Sequence, residues 1–237
     1  MGGDSDGLER RLVEVRGRIE RACQRAGRPA GAVRLIAVTK NHPVETVQRL
    51  IDLGVRDIGE NRVQEIEEKA PKLRGEFAMH MIGHLQTNKA GKVWPLAGWI
   101  QSVDREKLVR RLEGLYEEGC RGGNAPERKK VLVEVNTSGE ESKSGCAPDE
   151  CGQLCGIVAQ SRALELGGLM TIGPLGGDER AVRGAFALLR GLSETCRAGT
   201  GAPELSMGMS GDFEWAIEEG ATMVRVGTLL VGERVYA

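Results

Sequence analysis

Aromatic residues are scarce in this chain: three Phe, three Trp and two Tyr make up 3% of its 237 residues. Hydrophobic residues nevertheless reach 40%, so aliphatic side chains and alanine must build the core. With 28% charged residues, the composition is typical of a globular protein and excludes a disordered chain. The apolar stretches are all of strand length, so we predict no membrane-spanning helix.

Basic clusters and a signal peptide are missing as well. The 33 basic and 34 acidic residues give a formal net charge of −1, and no segment interleaves basic with aromatic residues. We therefore predict no nucleic-acid partner. Residues 1–7 are polar and acidic, unlike a signal peptide, and we interpret them as a frayed terminus. Without a polybasic segment to support a lipid anchor, we expect a cytoplasmic protein without membrane contact.

The six cysteines give no metal-binding pattern. In a chain without an export signal, we expect them to be reduced thiols. Cys146, Cys151 and Cys155 form a cluster, but their spacing is not that of paired zinc ligands and no histidine lies nearby. We therefore predict no metal site.

Short apolar runs alternate with amphipathic helical patterns along the chain. Because the runs are apolar throughout, they predict parallel strands that are buried on both faces and joined by helical crossovers. The predicted strands are residues 33–38, 55–58, 78–82, 99–102, 131–136, 164–171, 204–207 and 223–226.

The helical patterns complete the fold prediction. A helix over residues 8–26 precedes the first strand, and the others are predicted at residues 44–53, 62–73, 86–94, 105–119, 149–160, 179–197 and 212–219. Eight such units predict one α/β domain over residues 1–237, a (β/α)8 barrel with an extra N-terminal helix. An open doubly wound sheet is the alternative. In a barrel, the polar residues that follow each strand should share one site.

Lys40 stands at the end of the first predicted strand, before Asn41, His42 and Pro43. A lysine at the tip of a buried strand is unusual, because desolvation disfavours its charged form. A neutral lysine is a nucleophile that can form a Schiff base with an aldehyde. The alternative is that Lys40 simply extends its ammonium group into water.

The loops after the seventh and eighth strands are typical of a phosphate site. Ser210 precedes a predicted helix, and Gly227 with Thr228 allows the backbone to approach a ligand closely. Helix capping and a tight turn would explain the same residues. Together with Lys40, the loops favour an aldehyde that carries a phosphate, and pyridoxal 5'-phosphate fits that description.

Several motifs resemble those of the pyridoxal phosphate homeostasis protein family, whose fold is that of the alanine racemase N-terminal domain. The resemblance runs from the first strand to the C-terminus. The motifs that carry it are AVTK (37–40), GENRVQE (59–65), IGHLQTNK (82–89), VNTSGEESKSG (135–145), GLMT (168–171), SMGMS (206–210) and RVGT (225–228).

The resemblance implies a (β/α)8 barrel that binds pyridoxal 5'-phosphate. It makes Lys40 the Schiff-base residue and directs Arg225 at the pyridine nitrogen. It also implies that Ser210, Gly227 and Thr228 hold the phosphate. Asn61 would lie near the ring, and Met170 would line the pocket.

An arginine at the pyridine nitrogen favours the unprotonated ring and so weakens it as an electron sink. Racemases tolerate this with two acid/base residues, one being a tyrosine from a further domain. The chain's tyrosines, Tyr116 and Tyr236, are poor substitutes, and because the last barrel unit is followed at once by Ala237 we expect that domain to be absent. We therefore predict no catalytic residues.

The predicted function is a monomeric carrier that acts in intracellular pyridoxal phosphate homeostasis and can hand the cofactor to apo-enzymes that depend on it. A racemase of low activity and a Schiff-base aldolase are the alternatives. Among the histidines, we interpret His42 and His80 as structural, while His84 could be a general base or a cap. The loop at residues 140–143 is predicted to be solvated.

Overall fold

The computed structural model describes residues 3–123, 126–140, 143–196 and 204–232. The strands of this part of the chain form one closed parallel barrel in sequence order, in which β1 pairs with β8. This closure confirms the predicted barrel and excludes the open sheet. The strands are β1 (Arg34–Val38), β2 (Asp57–Glu60), β3 (Ala78–Met81), β4 (Trp99–Val103), β5 (Lys129–Glu134), β6 (Leu164–Met170), β7 (Glu204–Ser206) and β8 (Met223–Val226).

Helices follow the strands around the outside of the barrel. The α-helices are α1 (Gly3–Arg25), α2 (Val44–Asp52), α3 (Val63–Lys69), α4 (Ala90–Val93), α5 (Glu106–Arg121), α6 (Cys151–Gln160), α7 (Glu179–Cys196), α8 (Phe213–Glu218) and α9 (Thr228–Val231). The described helices are all too short or too polar to cross a membrane.

Two helical predictions need correction, and one helix was not predicted. Helix α1 begins at Gly3, not at residue 8, and only residues 1–2 of the expected frayed terminus lie outside the described residues. The helix predicted over residues 62–73 is α3 followed by a 3₁₀ turn, Ala70–Lys72, because Pro71 cannot donate the next helical hydrogen bond. The short helix α9, directly after β8, was not predicted.

The core has two layers. Most buried side chains fill the space between the strands and the surrounding helices. A smaller cluster comes almost wholly from strands and fills the barrel: Ile36, Trp99, Leu132, Met170 and Met223. The inner layer therefore closes the barrel below the ends of the strands.

Helix α1 packs against α8 and α9, the helices that follow β7 and β8. The guanidinium of Arg18 donates two hydrogen bonds to the carboxylate of Glu214 on α8, at 2.9 and 2.8 Å. Arg11 Nε donates to the carbonyl oxygen of Leu230 on α9 at 2.8 Å. The extra helix thus supports the two loops in which the sequence predicts a phosphate site.

The contribution of α1 to stability can be measured at neighbouring positions. Leu12 is 2% exposed and Val13 is 66% exposed. Leu12→Ala should lower the free energy of unfolding by about 2–4 kcal/mol, because it leaves a cavity under α1. Val13→Ala should change it by less than about 0.5 kcal/mol. Equal effects in urea denaturation would show that α1 does not pack as described.

Candidate functional site

A cavity of about 240 Å³ lies at the C-terminal ends of the strands. It brings together residues from the loops after β1, β2, β7 and β8, together with β8 itself. Six of the seven residues predicted from the sequence line it: Lys40, Asn61, Ser210, Arg225, Gly227 and Thr228. Their individual roles stay predictions, but their common location is that of a single site.

Met170 is the exception among the predicted residues. It is the last residue of β6, is fully buried and packs in the barrel interior with Trp99 and Leu132. Ile172, two residues further along, lines the cavity instead. Met170 therefore packs in the barrel interior beneath the cavity and does not line it.

One polar residue of the cavity lining, His42, was not predicted from the sequence. His42, interpreted as structural, is among the lining residues. Its backbone N–H donates to the carbonyl of Thr39 at 3.1 Å, which closes a turn around Lys40. Burial, followed by the nearby charge of Lys69, lowers the pKa of its imidazole. The sequence signal that could have identified His42 as a cavity residue is its position two residues after Lys40.

The backbone around Lys40 is held from both sides by a buried lysine and a carboxylate. Lys69 Nζ on α3 donates to the carbonyl oxygen of Thr39 at 2.9 Å. Glu65 Oε2 accepts the N–H of Asn41 at 2.8 Å. Asn41 has φ 60°, the left-handed conformation that asparagine tolerates better than most residues. These contacts fix the residues before and after Lys40.

The group that fixes this turn, which we call the Lys69 cluster, consists of Thr39, Glu60, Glu65 and Lys69. Lys69 Nζ lies 2.7 Å from both Glu60 Oε1 and Glu65 Oε2. Thr39 Oγ1 donates to Glu60 Oε1 at 2.6 Å. Burial raises the pKa of Glu60 to about 7 despite the opposing charge of Lys69. The cluster thus holds two carboxyl groups around one ammonium group.

A close approach of two loops positions Asn61. A Cβ atom on Gly83, directly after β3, would lie 2.3 Å from the carbonyl oxygen of Asn61. Only glycine leaves room for this contact. The loops after β2 and β3 therefore pack backbone to backbone at the cavity wall.

The loops after β7 and β8 are also joined. The N–H of Gly227 donates to Ser210 Oγ at 3.3 Å, and the N–H of Met209 donates to Asp212 Oδ1 at 2.6 Å. Gly208 has φ 90°, and a Cβ there would lie 2.5 Å from that of Ala216. Helix α8 begins at Phe213, so Ser210 lies in the preceding turn rather than in its first turn.

Arg225 lies between these loops and the barrel interior. It is 4% exposed, and its guanidinium donates to Ser206 Oγ and to the carbonyl of Thr171, each at 2.7 Å. Burial lowers its pKa to about 10, which still leaves it charged at neutral pH. The cavity floor therefore carries a fixed positive charge.

The remaining polar candidates lie outside the cavity lining. His84 is half exposed, with Nδ1 3.3 Å from Asp104 Oδ2 and 3.4 Å from Ser144 Oγ. Lys143 is not a solvated residue, because its Nζ donates to Glu140 Oε1 and to the carbonyl of Gly173 at 2.7 and 2.8 Å. Residues 141–142 of that loop, and Tyr236, lie outside the described residues.

The clustered cysteines and Tyr116 also lie outside the cavity lining. Cys146, Cys151 and Cys155 are buried, and the described part of the chain contains no group of three or more His, Cys, Asp or Glu residues that could hold a metal ion. Tyr116 on α5 packs against the outer core, away from the cavity.

Comparison with known proteins places the chain in a family. The family described as "Alanine racemase, N-terminal domain" matches residues 12–235. The pyridoxal phosphate homeostasis protein of Aquifex aeolicus is 39% identical over 229 residues, covering 95% of this chain and 98% of that protein. The human protein of the same name is 40% identical over 241 residues, covering 95% and 86% respectively. The chain belongs to the pyridoxal phosphate homeostasis protein family.

A solved structure supports the same assignment. PipY of Synechococcus elongatus PCC7942, determined with pyridoxal phosphate bound, is 33% identical, with a TM-score of 0.79. The alignment covers 95% of this chain and all of PipY. The family resemblance noted from the sequence motifs is therefore confirmed.

The Lys69 cluster gives a test of the site's construction. Lys69→Met should lower the free energy of unfolding by about 3–5 kcal/mol, because it leaves carboxylates buried without their partner. Without Lys69, the pKa of Glu60 should rise further above its unfolded value. The folded state then binds more protons than the unfolded state, so the loss should grow as pH rises.

The matched control is Lys72→Met, since the Lys72 side chain is 58% exposed. It should change the free energy of unfolding by less than about 1 kcal/mol. Urea denaturation at acidic, neutral and alkaline pH would measure both variants. A pH-independent loss in Lys69→Met would contradict the charge balance described for the cluster.

Proposed function

We propose that this protein binds pyridoxal 5'-phosphate as a Schiff base on Lys40 and acts in the homeostasis of that cofactor. The observation that carries the proposal is the single cavity that joins Lys40 to Ser210, Gly227 and Thr228. An amine and a polar, glycine-containing pair of loops are what an aldehyde with a phosphate requires. The names of the relatives support the same cofactor.

The chemistry of the cavity lining fits this ligand. Val38, Ile82 and Ile172 offer apolar contacts for the faces of a pyridine ring. Ser210 Oγ, together with backbone N–H groups of the loops after β7 and β8, offers donors for a phosphate. The volume of about 240 Å³ lies just below the range of about 300–1,000 Å³ that is typical of small-molecule sites.

The proposed bond is reversible, which suits a carrier. Lys40 Nζ would condense with the aldehyde, forming a carbon–nitrogen double bond and releasing one water. Hydrolysis, or exchange with the amine of another lysine, would release the cofactor again. The protein's own part is to hold Lys40 in a fixed turn and to fix the ligand through the opposite loops.

Arg225 favours a carrier over an enzyme. A charged guanidinium cannot accept a proton, so it would leave a facing pyridine nitrogen unprotonated and the ring a weak electron sink. We propose that no residue of this site is catalytic. We further propose that the protein is a cytoplasmic monomer that can pass the cofactor to apo-enzymes.

The cofactor and its anchor can be tested by visible absorption. The protein incubated with pyridoxal 5'-phosphate should show a yellow Schiff-base band, and Lys40→Ala should lose it because no amine remains in the cavity. Lys92→Ala is the matched control, since that lysine lies on α4 and pairs with Glu67 at 3.0 Å. A colourless parent, or a band that survives in Lys40→Ala, would refute the proposed site.

The alternative of a weak racemase has one structural argument, because His42 is a second titratable group in the cavity lining. The carrier proposal expects no racemisation of L-alanine above the rate of free cofactor, followed by circular dichroism. A rate that depends on protein and falls at least tenfold in His42→Asn would instead establish a racemase with His42 as its second acid/base group.

A further inference from the structure

A row of hydrogen bonds leads from the cavity through the barrel interior; we call it the interior chain. Arg225 Nη1 donates to Ser206 Oγ, and Ser206 Oγ donates to Gln101 Oε1, both at 2.7 Å. Gln101 Nε2 lies 2.9 Å from His80 Nδ1. His80 Nε2 lies 2.9 Å from Asp57 Oδ1. The interior chain thus joins β8, β7, β4, β3 and β2.

The two ends of the interior chain dictate the direction of every bond in it. Arginine can only donate, and a carboxylate can only accept. Ser206 Oγ therefore accepts from Arg225, and in the arrangement found its own hydrogen goes to the amide oxygen of Gln101. The Gln101 amide then donates to the imidazole of the next residue.

His80 completes this order as a neutral ring. Its Nδ1 accepts from Gln101, so its hydrogen is on Nε2 and points to Asp57. Burial lowers the pKa of His80, which agrees with the neutral form. The ring also stacks on Trp99, with centroids 5.7 Å apart and an angle of 10° between the planes. One tautomer and one ring position therefore satisfy all of its neighbours.

The order of donors and acceptors affects stability because the interior chain is buried. Ser206, Gln101 and His80 are each 0% exposed. A buried donor or acceptor without a partner is strongly unfavourable, and with a neutral His80 the reversed order would leave the unprotonated Nε2 facing the carboxylate of Asp57. Asp57, at the start of β2, is the group that excludes the reversed order.

We infer that Ser206, Gln101, His80 and Asp57 are positioning residues that hold Arg225 in one orientation at the cavity floor. Ser206 Oγ and the carbonyl of Thr171 occupy two of its five N–H donors. Arg225 also lines the cavity, so the guanidinium held in this way is part of the ligand-facing surface. Asp57 acts from the other end of β2 by fixing the tautomer of His80. The inference rests on the proposed function, because it concerns how the bound cofactor's ring meets Arg225.

Paired serine variants test the interior chain. Ser206→Ala removes the acceptor of Arg225, whereas Ser102→Ala removes a buried hydroxyl that has no hydrogen-bond partner within the described part of the chain. In protein loaded with pyridoxal 5'-phosphate, the visible absorption band is followed as a function of pH. The pH at which half of its change has occurred should shift by about half a unit or more in Ser206→Ala. It should stay unchanged in Ser102→Ala.

The outcomes separate this inference from the proposed function. A parent protein that never becomes coloured overturns the proposed function itself. Coloured variants that all share the midpoint of the parent overturn the positioning role of the interior chain. A loss of folding would be visible as a lower midpoint of urea denaturation, measured without the cofactor.

A measurement without the cofactor tests the end of the interior chain at His80 and Asp57. Nitrogen-15 NMR of histidine-labelled protein at neutral pH should show His80 with Nε2 protonated and Nδ1 unprotonated. Asp57→Asn, which removes the obligate acceptor, should produce a mixture of tautomers and shift the visible midpoint in the same direction as Ser206→Ala. Asp52→Asn, an exposed carboxylate on α2, should do neither. A parent His80 that is charged or protonated on Nδ1 would refute the proposed direction.

Discussion

The pairing of β1 with β8 is the constraint on which the site depends. In that pairing Ile36 lies opposite Arg225, and Ala37 lies opposite Val226. Lys40, just after β1, therefore reaches the same cavity as Gly227 and Thr228, although almost the whole chain separates them. An open sheet of the same strands would leave β1 and β8 unpaired, and the amine and the phosphate-type loops would not meet. Closure of the barrel is what makes two ends of the sequence into one site.

Buried polar groups then fix the parts that closure brings together. The Lys69 cluster holds the turn on both sides of Lys40, and the interior chain holds Arg225. Burying such groups is unfavourable without partners, so the hydrogen bonds that Lys69 and Arg225 make favour this arrangement over others. Hydrogen bonds from outside the cavity thus fix the turn at Lys40 and the guanidinium of Arg225, while Ser210 and Gly227 bond to each other within the lining.

Much of this architecture could be predicted from the sequence, because the spacing of apolar residues along the chain matches the buried positions of the strands and helices. The failures have particular causes. Met170 and Ile172 are both apolar and two residues apart, and only the end of β6 decides which of them faces the cavity. Lys69 follows the periodicity of a polar helix residue, yet it is 3% exposed because its partners come from other segments. The register between strands, which joins His80 to Gln101, leaves no local signal.

Two buried cations, Lys69 beside the turn at Lys40 and Arg225 in the cavity lining, differ in how their charge is balanced. Lys69 has carboxylate partners within 2.7 Å, so its charge is balanced before any ligand arrives. Arg225 has only neutral oxygens as hydrogen-bond partners, and Glu134 and Asp212 act on it as charges without pairing directly. An unpaired guanidinium at the cavity floor attracts an electron-rich ring nitrogen but keeps it unprotonated. Such a site would bind the proposed cofactor while leaving its ring a weak electron sink.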